Sequence, residues 1–259
     1  IAKNSPAAVS ELTQIAAVGG QLGINAEEIV KFTDTIQKLT VATNLSAEQA
    51  ALSLARLQKI TNLTANEVDN LASVVVKLGN NFATTESEII TAATQIATAT
   101  AGISTEFNNS AVDALAFATT LRAVGQPAQA GSTAIIRLIQ VIDQLVKSGA
   151  PQLERVATVA GLTQEAFVQM FDIDPAMTIA RFIEGLGAAE ERGEDVVAIL
   201  NELGLGQIRS RRAFLALARA RDDTTEGQGL LTSALEMANK EFVENNALTT
   251  EAERRYETV

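Results

Sequence analysis

Four groups of residues in this chain of 259 carry types that could do chemistry. Glu190-Glu191 and Glu194-Asp195 are paired carboxylates, the equipment of a hydrolase that splits a glycosidic bond with one acid and one base. They lie in a polar stretch flanked by Gly187 and Gly193, where helix capping and solvation account for them better. Asp172 and Asp174 lack the rest of a calcium loop. Gly204-Leu205-Gly206-Gln207-Ile208-Arg209 has the look of a dinucleotide fingerprint at its start, yet the third glycine is missing and no strand pattern precedes it, which leaves a helix break.

The fourth group is the one basic concentration, Arg209, Arg211, Arg212, Arg219 and Arg221. On a helix Arg209, Arg212 and Arg219 share one side, where they would meet phosphates or acidic groups. Arg211 and Arg221 point elsewhere, Asp222 and Asp223 follow directly, and no aromatic residues interleave to stack on bases. Arg209, Arg211, Arg212 and Arg219 are therefore a candidate charged contact patch with a structural or subunit-pairing role, and DNA contact is the less favoured reading.

Composition removes much of the remaining chemistry. The chain has no Cys and no His, so the usual zinc sites, the Ser-His and Cys-His nucleophile pairs and the commonest general base are absent, and no cofactor or metal is expected. A net charge of −11 sets most of the surface against phosphates. The longest uncharged run, Ile89 to Thr105, is dense in threonine and makes a poor membrane span. The chain opens on Ile1 and still reads as helix at Val259, which suggests a segment of a longer polypeptide.

The elements that must position these residues read as helices throughout. Asn25, Ser46, Thr64 and Thr85 are each followed three places on by Glu28, Gln49, Glu67 or Glu88, the reciprocal arrangement that satisfies two free amides of a first turn. Ile24, Leu45 and Leu63 stand where a hydrophobic staple would sit. The caps are 21, 18 and 21 residues apart, which predicts successive helices of some four turns joined by short connections. Apolar stripes recur at steps of three and four: Ile29, Phe32, Ile36 and Leu39; Val68, Leu71, Val75 and Leu78; Ile89, Ala93 and Ile96; Val112, Leu115, Ala118 and Leu121; Ile135, Leu138, Ile142 and Leu145. Ser5-Pro6 should open an earlier helix, Asn108-Asn109-Ser110 should form a turn, and Asp174-Pro175 should start the helix bearing Ile179, Phe182, Ile183 and Leu186.

Gly185, Gly187, Gly193, Gly204 and Gly206 concentrate breaks and mark the expected boundary or hinge. Beyond Gly229, Leu231, Leu235, Ala238, Phe242, Asn245, Thr249, Ala252, Tyr256 and Val259 follow a heptad spacing uninterrupted by Gly or Pro. Two readings stand side by side: a long amphipathic helix lying on its own domain, or an oligomer seam pairing with copies of itself. The expected class is all-α, an array of short capped helices forming a compact multi-helix domain and ending in a long C-terminal helix with heptad character. The expected division is a core over 1–192, a Gly-rich boundary with an Arg-bearing helix over 193–229, and the long helix over 230–259.

Taken in order, Ala42-Thr43-Asn44-Leu45-Ser46-Ala47-Glu48-Gln49-Ala50, Lys77-Leu78-Gly79-Asn80-Asn81-Phe82-Ala83 and Glu86-Ser87-Glu88-Ile89 resemble the core region of tail tape-measure proteins from long-tailed phages and prophages. Ala130-Gly131-Ser132-Thr133-Ala134 leading to Arg137-Leu138, and Ala247-Leu248 through Arg254-Arg255-Tyr256-Glu257-Thr258, are similar to the family's middle and to the helix that leaves its core. The resemblance implies a structural, non-enzymatic component of the virion, in the tail lumen or at the tail tip. It implies partners among tail tube, tail tip or baseplate proteins and assembly chaperones, and a homo-oligomer, a trimer in this family. A ruler needs uninterrupted helix rising ~1.5 Å per residue, whereas these helices stop about every twenty residues, so a compact end or anchoring domain is expected. Two rival readings are a helical-repeat protein-binding scaffold of a phage-like injection apparatus and, third, a carboxylate-dependent cell-wall hydrolase.

Overall fold

The structure, a computed structural model, describes residues 9–101, 111–220 and 228–257. The regular elements among the described residues are all α-helices. The first five are α1 (Val9–Gln21), α2 (Ile29–Ala42), α3 (Ala47–Thr61), α4 (Ala65–Asn81) and α5 (Glu86–Thr100). Three of the four expected starts form as full capping boxes: Ser46, Thr64 and Thr85 each accept from the amide three residues on, while Gln49, Glu67 and Glu88 accept from the cap's own amide. The Glu67 carboxylate lies 2.7 Å from the Thr64 nitrogen. Such a cap stabilises its helix by about 1 kcal/mol.

Asn25 does not cap α2. A backbone turn intervenes, with the Glu28 amide donating to the Asn25 carbonyl at 3.0 Å, and the helix starts four residues later behind Glu28, whose side chain makes no cap bond. The expected start at Ser5-Pro6 and the turn at Asn108-Asn109-Ser110 lie outside the described residues.

The apolar stripes of α2, α4 and α5 are buried, with Ile29 half-exposed at the edge of its stripe. The next helix, α6 (Ala111–Ala123), has no outer face: every residue from Ala111 to Leu121 except Asp113 is buried. It is enclosed by α4, α5, α7 (Ala128–Ser148) and α13 (Leu230–Glu244). Its two buried threonines, Thr119 and Thr120, donate their hydroxyls back to the carbonyls of Leu115 and Ala116 at 2.7 and 3.1 Å, so neither hydroxyl is stranded. The same back-bonding serves the threonine-rich face of α5, at Thr91, Thr94, Thr98 and Thr100.

The remaining helices are α8 (Gln152–Val159), α9 (Gln164–Ile173), α10 (Pro175–Glu191), α11 (Val196–Glu202), α12 (Ile208–Arg219) and α14 (Ala247–Glu257). Asp174 caps α10 as expected, accepting from the Met177 amide at 2.9 Å with Pro175 in the first turn. Gly193 and Gly204, at φ +80° and +69°, end α10 and α11. Gly185 and Gly187 break nothing: they lie inside α10 and let other chain segments touch it. A Cβ at Gly185 would fall 1.8 Å from the Val159 carbonyl oxygen of α8, and one at Gly187 would fall 2.3 Å from the Ala218 oxygen of α12.

One core cluster runs from Ile15 to Leu248 and takes in residues of all three expected divisions, among them Phe182, Phe214 and Leu235. The long C-terminal helix expected over 230–259 is two helices, α13 and α14, separated at Asn245, which takes the left-handed φ of 50°. Both fold back, α13 on α4 and α6, α14 on α2 and α4.

Gly185→Ala is expected to destabilise the chain by about 1–3 kcal/mol in urea unfolding, because backbone faces the new methyl. Gly20→Ala in α1, where a Cβ meets nothing within 4 Å, should instead be neutral or stabilise by up to about 1 kcal/mol.

Candidate interaction surfaces

The bend between α13 and α14 is built by α4. Glu241, buried in the last turn of α13, accepts the amides of Asn246 and Ala247 at 2.7 Å each and the Ser73 hydroxyl at 2.6 Å. It therefore caps the following helix from within the preceding one. Ser73 in turn accepts the Leu248 amide at 3.0 Å. One residue turn earlier on α4, Asp69 accepts from Asn245 at 2.9 Å and from Thr35 at 2.7 Å, and Asn70 donates to the Phe242 carbonyl at 2.9 Å.

The candidate seam residues are distributed along this bend. Leu231, Leu235, Ala238 and Ala252 are buried against the chain's own helices, and Phe242 packs half-buried on the core. Asn245 forms the corner, Thr249 is exposed, and the Tyr256 hydroxyl accepts from Gln37 of α2 at 2.5 Å. Val259 lies outside the described residues. Within one molecule these residues pack on the chain's own helices, as in the first of the two readings, but they lie on two short helices and not on one long one. Glu251 is tucked in beside them; burial pushes its carboxyl up, but hydrogen bonds from Arg255 and Arg254 at 2.9 and 2.8 Å outweigh that and hold it below 4.5.

The arginines of α12 do not act together. Arg219 is paired with Glu190 of α10, Nε to Oε2 at 2.8 Å, and this bond holds the Glu190 carboxyl below its ordinary value. Arg209 and Arg212 stand exposed and Arg211 half-exposed, and none of the three side chains has a hydrogen bond or ion pair among the described residues. Ile208 beside them is 61% exposed. Arg221 lies outside the described residues.

The carboxylate runs are engaged in the same way. Glu194 accepts from Arg192 at 2.8 Å and from Arg155 at 3.4 Å, with its carboxyl held down chiefly by the Arg192 bond. Asp195 caps α11 through the Ala198 amide at 3.0 Å. Groups kept ionised by arginines are poor general acids. A cleft of about 620 Å³ at α8, α10 and α13 places Arg181, Arg192, Glu184 and Glu236 on its wall, and Thr232 spends its hydroxyl on Glu184. Among the described residues no three His, Cys, Asp or Glu side chains converge as metal ligands, and no helix is long and apolar enough to cross a membrane.

The described residues form an all-helical packing around one aliphatic core. The family of phage-related minor tail proteins matches residues 2–204, and the chain belongs to that family. Its role is structural, in the phage tail. No curated protein and no solved structure matches the chain. The family match stops at Gly204, just short of the α12 arginines and the α13–α14 bend.

Glu241→Ala should cost about 1–3 kcal/mol in urea unfolding, since it removes the acceptor of two part-buried amides and of the buried Ser73 hydroxyl. Thr249→Ala, at an exposed position of the same spacing, should change stability by less than about 0.5 kcal/mol. The depressed carboxyls Glu67, Glu88, Glu190, Glu194 and Glu251 stabilise the fold in full above 4.5 and lose that contribution as pH falls through their folded values. The urea midpoint should therefore stay level down to about pH 4.5 and then decline.

Proposed function

We propose that this chain is a compact anchoring segment of a tape-measure protein, the tail component whose length sets the length of the tail. The observation that carries this reading is the closed core running from Ile15 to Leu248 through helices of at most 21 residues among those described. The longest, α7, reaches only about 32 Å at ~1.5 Å per residue. A block of this shape adds little contour to a ruler and offers a folded surface for other tail proteins to hold. Its partners in this reading are tail tube, tail tip or baseplate proteins and assembly chaperones, and its place is the tail lumen or tip. A helical-repeat scaffold would present a broad apolar face. The exposed large apolar side chains among the described residues are Val30, Ile173, Ile208 and Val243, each on a different helix.

The test is an in-frame deletion of this stretch from its parent gene, followed by electron microscopy of the particles. Drawn out as one helix, 259 residues would span about 390 Å. An anchoring block predicts loss of tails or tubes of uncontrolled length on deletion. Tails that assemble normally and are uniformly shorter by about that distance would make the stretch part of the ruler itself and overturn the proposal.

A further inference from the structure

Two exposed stripes of opposite sign lie on different helices of this chain. On α9, Glu165, Gln169, Asp172 and Ile173 are the exposed residues, and at 100° per residue they fall within one arc of about 100°. Ile173 is 85% exposed at the end of that stripe. On α12, Ile208, Arg209, Arg212 and Arg219 are exposed and fall within an arc of similar width. Each stripe joins one solvent-facing isoleucine to charges of a single sign. The side chains of Glu165 and Asp172 have no hydrogen bond or ion pair among the described residues, nor do those of Arg209 and Arg212. Both helices pack on α10, and among the described residues no hydrogen bond or ion pair joins one stripe to the other, so they do not satisfy each other within one molecule.

We propose that the α12 stripe of one copy docks on the α9 stripe of a second copy, the isoleucines forming a small apolar centre and the arginines meeting the carboxylates around it. Self-pairing is favoured over an acidic partner of another kind because this same chain, at net charge −11, supplies both the unpaired cations and a matching anionic stripe with the same apolar neighbour. DNA is a poorer occupant: the patch is small, no aromatic side chain lies in α12 on its outer side, and the surrounding acidic surface repels phosphate. The interface joins unlike surfaces, so each copy keeps one free stripe and assembly continues into a ring or a chain. One helix stripe per partner covers well under the ~800 Å² of a standard interface. The contact is accordingly weak and salt-sensitive, effective where copies are held close together.

Sedimentation velocity of the chain over a concentration series, at low salt and at about 1 M salt, tests this. Self-association is expected at low salt and should vanish at high salt, where the screening length is ~3 Å. Arg209→Glu with Arg212→Glu, or Glu165→Arg with Asp172→Arg, should each weaken association by roughly tenfold or more, and all four changes in one chain should restore it. The milder pairs Arg209→Gln with Arg212→Gln and Glu165→Gln with Asp172→Gln should each stay monomeric alone, and on mixing should give a one-to-one complex that grows no further. The milder set also serves if a reversal variant fails to fold by circular dichroism. A chain monomeric at every concentration and salt overturns the proposal. So does association indifferent to both sets of changes, or failure of the two neutralised variants to pair on mixing. Binding of duplex DNA that Arg209→Glu with Arg212→Glu abolishes, without self-association, would assign the arginines to nucleic acid and overturn it as well. None of these outcomes bears on the tail-length experiment.

Discussion

Helix α6 has no residue between Ala111 and Leu121, apart from Asp113, that is not buried, so it can exist only if other helices surround it. Among the described residues the surround comes from α5 and α7, its neighbours in sequence, and from α4 and α13, which arrive from opposite ends of the chain. With no disulfide to cross-link these layers and aromatics at only 4% of residues, the enclosure depends on aliphatic side chains and on how closely backbones approach. Burying one such side chain stabilises by about 1.5–3 kcal/mol, a yield that falls quickly when neighbours are held apart. That is why alanine lines α6 at Ala111, Ala114, Ala116 and Ala118, and why α10 carries glycine where α8 and α12 cross it.

Local signals in the chain were readable because their physics is local. The caps at Ser46, Thr64, Thr85 and Asp174 satisfy amides three residues away, so residue type and spacing suffice to place them. Asn25 carries the same pattern and fails because the backbone turn closing on its own carbonyl competes for the segment. Gly185 and Gly187 mislead for the opposite reason. A glycine that ends a helix and a glycine that lets another chain segment touch it look alike in sequence, and only the Val159 and Ala218 carbonyls distinguish them.

The candidate surfaces were legible in part. The arginine concentration and its shared face follow from helical spacing, but the assignment of Arg219 to Glu190 needs α10 and α12 side by side. The acidic stripe of α9 left no mark, since two carboxylates on a ten-residue helix are ordinary until their exposure and lack of partners are known. The corner at Asn245 was hidden most completely. No Gly or Pro announces it, the heptad spacing runs through it, and the groups that build it, Asp69, Asn70 and Ser73, lie more than 160 residues away.

That corner also decides what the heptad spacing is for. A continuous helix from α13 into α14 would need Asn245 to leave its left-handed φ for ordinary helical values, a change that costs asparagine nothing by itself. It would, however, pull the Asn246 and Ala247 amides into the helical ladder and away from Glu241, leaving a buried carboxylate with Ser73 as its one remaining partner. Removing two charge-assisted bonds from a buried anion costs several kcal/mol, before the apolar contacts of Leu248 and Ala252 are counted. A partner helix would have to return that energy along a seam whose best residues, Leu231, Leu235 and Ala238, are already in the core. In this packing the steps of four and three serve two short helices wrapping one domain.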